Sequence, residues 1–226
     1  MSDTEGQLAV PARCPLSEEA KETAGITSAL LLGFLDRVGG PPLVAEVLKH
    51  CGLQDYEPEL RDENAWFSWE TKIELFEATA AVLEDPEFLE RMSRYALDLN
   101  VGAGLKVALR TLGSPEFVVR NIVRANARFN RSHGMELDAL ESGHAVLRFS
   151  ELGGGQRHHH LDCAYTAAMV ATIPELFGLP RASVRQTACA GTGGEACVFD
   201  LRWEERPGHR LHHCLLYTSP SPRDRQ

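Results

Sequence analysis

Cys163, Cys189 and Cys197 are the residues of this chain whose type and spacing could do chemistry. Thiolates bind Zn2+ in a tetrahedron, and three of them need one more His, carboxylate or water. Cys163 opens a run with helical period, and the N-terminal turn of a helix favours the thiolate form. Cys189 and Cys197 flank Gly191-Thr192-Gly193-Gly194-Glu195. If that turn is centred on Gly193, the two cysteines face each other across a hairpin. The competing use of these thiols is as small core residues, because free Cys is common in cores. The C-x2-C spacing of strong zinc motifs is absent. His158, His159 and His160 lie just upstream. Three consecutive side chains point in different directions and cannot share one ion, so the run reads as a solvated loop. His160 is the one retained as a candidate fourth ligand.

Other chemical signatures are missing. There is no G-x-S-x-G elbow for a nucleophile. Gly102-Ala103-Gly104 starts like a dinucleotide loop, but Val107 and the lack of a preceding strand break the fingerprint. Gly191 to Gly194 lacks the Lys-Ser/Thr of a phosphate loop. Trp66 and Trp69 flank Ser68 and read as packing residues rather than a ligand cage. Catalytic residues are therefore none, and the chain reads as a binding domain rather than an enzyme.

The elements that must position the cysteines follow from periodicity. A helix is expected from about Thr27 to Val38, stopped by Gly39-Gly40, and a second from Pro41-Pro42 to Cys51. Ser68 can cap a third helix, with Ile73, Phe76, Ala80 and Leu83 on one face. Asp85-Pro86 starts a fourth, with Phe88, Met92 and Tyr95 together. Helices over Leu105 to Leu112 and from Pro115 to about Phe129 follow. Then the period changes from 3.6 to 2. Met135 to Glu141 and Ala145 to Ser150 form a hairpin about Ser142-Gly143-His144. A helix runs from Cys163 to Phe177, with Tyr165, Met169, Thr172, Ile173 and Leu176 facing in. The last hairpin pairs Ser183 to Cys189 with Ala196 to Glu204. The fold class is α+β: a helical N-terminal half, then strand-strand-helix-strand-strand with a four-stranded antiparallel sheet.

The 226 residues carry a net charge of −9 and are 43% hydrophobic, enough for a core and unsuited to a phosphate backbone as partner. The longest apolar run, Ala29 to Leu35, is far short of the ~20 residues of a membrane span. A polar, acidic N-terminus gives no signal peptide, so a cytoplasmic location with reduced thiols is expected. Residues 1–25 read as disordered, 26–205 as one sensor domain and 206–226 as an unstructured tail. Within that tail, 214–224 look like a translated sequencing adapter, which implies a frame cut near His213 and a natural protein that continues.

From Ile26 to Trp203 the chain resembles the 4-vinyl-reductase-type domain, of the superfamily shared with haem-based nitric-oxide sensors and transport-particle subunits. The resembling stretches are Trp66-Phe67-Ser68-Trp69-Glu70, Gly102-Ala103-Gly104-Leu105, Leu112-Gly113-Ser114-Pro115, and Asp162-Cys163-Ala164-Tyr165 through Phe177-Gly178-Leu179-Pro180. Cys189-Ala190 and Cys197-Val198-Phe199 complete the order. The resemblance implies a small-molecule-binding input domain of a bacterial signalling protein, followed by a kinase, cyclase or regulator module that is missing here. The ligand expected is small and largely apolar; from the helix faces, pocket walls could be drawn from Phe76, Phe88, Met92, Tyr95, Phe129 and Tyr165, with ordinary core the competing role for most of them. A homodimer is a further implied partner, and the family name leaves tetrapyrrole vinyl reduction or a dimerising interaction module as alternatives. In similar phenol-sensing activators, cysteines at the places of Cys163, Cys189 and Cys197 hold structural zinc, with an acidic residue where this chain has Gln186. The haem branch is not matched. Arg148-Phe149-Ser150-Glu151 stands in place of the Y-x-S-x-R signature, and no His lies between Pro115 and Asn130, so no haem is expected.

Overall fold

The computed structural model describes residues 21–99, 113–153 and 157–205. The helix expected over Leu105 to Leu112, most of the N-terminal segment and the adapter-like tail lie outside these residues. The chain divides into two compact units: residues 1–88 with 127–132, and residues 89–126 with 133–226.

In the first unit, β1 (Thr23–Ala24) pairs antiparallel with β2 (Trp66–Phe67). The irregular segment expected up to residue 25 therefore ends earlier. The pairing is specified in part by Gly25, where any side chain would collide with the carbonyl oxygen of Asp62. Helix α1 (Ile26–His50) breaks at Gly40, whose φ of 71° and ψ of −170° are non-helical, just before Pro41-Pro42. Only a glycine adopts that backbone without strain, and the prolines restart the helix with φ already set. A short α2 (Glu57–Leu60) leads to α3 (Trp69–Leu83), which packs on α1. The start of α3 is fixed by Ser68, whose Oγ accepts a hydrogen bond from the Thr71 amide at 3.0 Å. Ser68→Ala should cost about 1 kcal/mol, read as a lower urea midpoint with an unchanged slope. Arg131 lies over the Trp66 ring at 3.9 Å, so that tryptophan packs against a cation within the unit.

The second unit carries the sheet. It contains most of α4 (Phe88–Asp98) and all of α5 (Pro115–Asn126), β3 (His133–Glu141), β4 (His144–Glu151), α6 (His160–Ala171), β5 (Ser183–Ala188) and β6 (Cys197–Arg202). The four strands are antiparallel in the order β3-β4-β6-β5. The fold class expected from the sequence is the one observed. Register explains the core. Ala145 pairs with Leu201, Leu147 with Phe199 and Phe149 with Cys197. With a period of two, all six point to one face, and all six are buried. Val119 of α5 and Cys163, Val170, Ile173 and Phe177 join them. The run read as one helix from Cys163 to Phe177 is α6 followed by a 3-10 turn over Ile173–Phe177. Pro174 removes an amide donor and ends the α-helix. The buried face of α6 centres on Cys163, Thr166 and Val170, while Tyr165 and Met169 are only half-buried.

Candidate metal centre

Three elements of the second unit bring the cysteines together. Cys163 is in the first turn of α6 and Cys197 opens β6. Cys189 follows the end of β5, one step beyond the pair Ala188 and Val198, which aligns it with Cys197 as the turn placement required. A 3-10 turn over Ala190–Thr192 closes on the Cys189 carbonyl, which accepts from the amides of Thr192 at 3.1 Å and Gly194 at 3.0 Å. Gly193 then takes φ 93°, a left-handed conformation suited to glycine.

The fourth group is His158. The Sγ atoms of Cys163, Cys189 and Cys197 and a ring nitrogen of His158 all lie within 4.8 Å of one another. His158 Nε2 is 3.2 Å from Cys163 Sγ and 3.1 Å from Cys189 Sγ, and Cys163 Sγ is 3.1 Å from Cys197 Sγ. Tetrahedral zinc–sulfur bonds of about 2.3 Å set ligand–ligand edges of roughly 3.5–3.8 Å. The observed spacings, from 3.1 Å up to 4.8 Å, bracket that size, so an ion fits with shifts of up to about an ångström. Three sulfurs and one imidazole are the donor set that selects Zn2+ among the common cations. The cysteines are free thiols, not a disulfide.

Electrostatics agree with a site completed by a cation. Burial, then the neighbouring Cys197 and Cys189 sulfurs, push the Cys163 thiol well above the usual range. Burial pushes the Cys197 thiol up as well. His158 is pushed down, first by burial and then by the adjacent His159, which keeps the imidazole neutral and able to donate a lone pair. At neutral pH the bare cluster is therefore protonated on these sulfurs. A metal must displace those protons, so its affinity falls as pH falls.

The three cysteines that the sequence singled out lie together, and the candidate fourth ligand, His160, is not among the grouped donors. His160 is exposed and begins α6. His159 is the N-cap, with extended backbone (φ −141°, ψ 135°), and its Nδ1 accepts from the Leu161 amide at 3.3 Å. In extended chain, side chains alternate, so His158 turns toward the sulfurs where its neighbours do not. Gln186 is exposed on β5 and is not part of the cluster. The missed signal was Gly191. A Cβ there would sit 2.5 Å from the His158 ring atoms Cε1 and Nδ1. Only a residue without a side chain leaves room for the imidazole. Gly191→Ala should weaken metal binding about 10- to 100-fold, the usual effect of misorienting a ligand, and competition with a coloured chelator reads it directly.

The sequence-derived pocket residues fall in both units. Phe76, Phe88 and Phe129 belong to the first, and Met92, Tyr95 and Tyr165 to the second. Phe76 and Phe88 are 1% exposed and meet edge to face with centroids 6.4 Å apart, while Phe129 is 46% exposed. Phe76 lines a small cavity of about 10 Å³ with Thr23, Thr27, Thr71, Lys72 and Leu75. A second, of about 30 Å³, lies against the cysteine cluster.

No family model matches the sequence, and no characterised protein pairs with it by sequence. Solved structures do. An H-NOX protein from S. oneidensis in the Fe(II)NO ligation state aligns with TM-score 0.57 and 14% identity, over 80% of this chain and 99% of that one. The unliganded Fe(II) H-NOX protein from K. algicida gives TM-score 0.57 and 12% identity, over 81% and 98%. A structure described as probing haem distortion in the H-NOX family gives TM-score 0.58 and 9% identity, over 81% and 95%. These neighbours are iron- and haem-bearing proteins by their own descriptions, which overturns the expectation of no haem. That expectation rested on a missing motif, whereas the likeness is of the whole backbone. Helix α5 holds no His, Cys or Tyr between Pro115 and Asn126, so this structure assigns no axial ligand on it. Among the described residues no helix is long and apolar enough to cross a membrane. The backbone likeness leads to one statement: this chain has the fold of the H-NOX domains.

Proposed function

We propose that the chain is a sensory domain that binds a small molecule, with its sheet unit fixed by a zinc ion on His158, Cys163, Cys189 and Cys197. The observation that carries the metal reading is four donor atoms within 4.8 Å, drawn from a coil, a helix start and the two ends of a hairpin turn. Small-molecule sensing is supported by the likeness to H-NOX proteins whose descriptions name NO as the iron's ligand. The cysteine spacing supports the 4-vinyl-reductase-type branch of that superfamily. In this reading Phe76, on the small cavity of the first unit, contributes apolar surface to a ligand pocket, since such pockets are largely apolar with a few polar anchors. The partners are a downstream signalling module and a second copy of the chain. Elemental analysis of protein purified without chelator tests the metal. About one zinc per chain is expected for a single closed site. Protein that contains none and takes up none from added zinc would refute it.

A further inference from the structure

We propose that His158 is an exchangeable ligand, and that a small thiol with an uncharged tail takes its place on the metal from the cleft beside it. This rests on the metal reading above and goes beyond a purely structural ion: the centre is itself a ligand-binding site.

Four observations point the same way. The three sulfurs belong to the start of α6 and the two arms of the β5–β6 hairpin, but His158 lies on the coil between β4 and α6. His158 is therefore the one donor of the four that lies outside the helix and the hairpin. Next, a small cleft of about 30 Å³ is lined by His158, Cys163 and Cys197 together, so it borders the imidazole and two of the sulfurs. Part of its lining is aromatic and planar: His133 stacks on Phe149 with centroids 4.9 Å apart and planes 10° from parallel. Then there is the anchoring of the ring. A metal-bound imidazole ordinarily donates its second N–H to a carboxylate or carbonyl, which fixes its orientation and strengthens the bond. His158 makes its hydrogen-bonding contacts through Nε2 to the sulfurs of Cys163 and Cys189. Among the described residues its Nδ1 has no such partner. The ring packs closely against Gly191. Last, Cys163 sits in the first turn of the 12-residue α6, where the helix dipole favours added negative charge.

The lining sets the class of ligand. Glu151, Asp162 and Glu195 all border the cleft. Arg157 is engaged, with Nε 2.6 Å from Glu151 Oε1 and its amide donating to Oε2 at 2.8 Å. A ligand that brings a carboxylate therefore meets acidic groups and an occupied guanidinium. A soft donor with a small neutral tail fits. The exchange is a substitution without electron transfer. The metal–Nε2 bond breaks, a metal–sulfur bond forms, and the thiol proton passes to the released imidazole or to water.

Cobalt(II) in place of zinc in the full chain makes the exchange visible. Three sulfurs and one nitrogen give a ligand-field spectrum distinct from four sulfurs. Under anaerobic conditions, titration with 2-mercaptoethanol should shift the visible bands to the red and strengthen the sulfur-to-cobalt band, with half-saturation at or below about 1 mM. Mercaptoacetate should need more. His158→Ala should still take up cobalt and should bind 2-mercaptoethanol about tenfold more tightly, the factor for a site that the imidazole leaves open one time in ten. A three-sulfur, one-nitrogen spectrum that no thiol moves would overturn the exchange while leaving the metal centre intact. Cobalt stripped into the filtrate by thiol would also overturn it. Failure to take up cobalt at all would remove the metal reading and the exchange together.

Discussion

If zinc occupies the proposed site, removing it is expected to lower the melting temperature by about 8–16 °C. Free metal at about 1,000 times its dissociation constant stabilises the folded state by about 4 kcal/mol. Each kcal/mol moves the midpoint of a domain of about 150–250 residues by about 2–4 °C. The donors explain why the effect is large. They tie the coil before α6, the first turn of α6, the end of β5 and the start of β6 to one point. Without the ion, two buried thiols and a neutral imidazole share a space with no bond to hold it closed. Cys197→Ser should reproduce the loss even in excess zinc, because a hydroxyl is a poor substitute for a thiolate donor to this ion. Thermal melts with and without a strong chelator, on wild type and on Cys197→Ser, check both statements. Superimposed curves would show that the cysteines are ordinary core residues.

Phe199→Ala is expected to cost about 3–5 kcal/mol, the usual range for emptying a buried aromatic site. Phe199 is fully buried on β6, opposite Leu147 of β4 and on the same face as Cys197 and Leu201. The comparison is Leu152→Ala: Leu152 is 60% exposed, and its loss should fall within about 0.5 kcal/mol. Urea unfolding of the two variants measures the difference. At low temperature Phe199→Ala should still hold its zinc, which separates loss of core from loss of metal.

Much of this architecture was legible because local chemistry and tertiary structure agree. Gly40 before two prolines, Ser68 as a cap, Asp85 accepting from the Glu87 amide at 2.9 Å and Gly143 at φ 72° each act within a few residues. A period-two pattern also suffices to put Ala145, Leu147 and Phe149 on one face. The facing of Cys189 and Cys197 follows from one turn residue, Gly193. What the sequence concealed depends on contacts between distant segments. His158 is five residues from Cys163 but 31 from Cys189, and nothing local distinguishes it from His159 and His160. Its selection needs the extended backbone at His159 and the bare surface of Gly191, neither of which has a periodic signature. The expectation of no haem failed for a related reason. A short motif reports on one way of gripping a group, whereas the backbone likeness to haem proteins spans four-fifths of the chain.

The central claim is a three-sulfur, one-nitrogen zinc centre, and X-ray absorption at the zinc edge of the purified chain tests it most directly. The account predicts a four-coordinate ion with a sulfur shell at about 2.3 Å and a single nitrogen at about 2.0–2.1 Å. The nitrogen should give way to another light atom in His158→Ala and persist in a His160→Ala variant. A shell of oxygens and nitrogens without sulfur, or a spectrum that changes with His160 and not with His158, would contradict it.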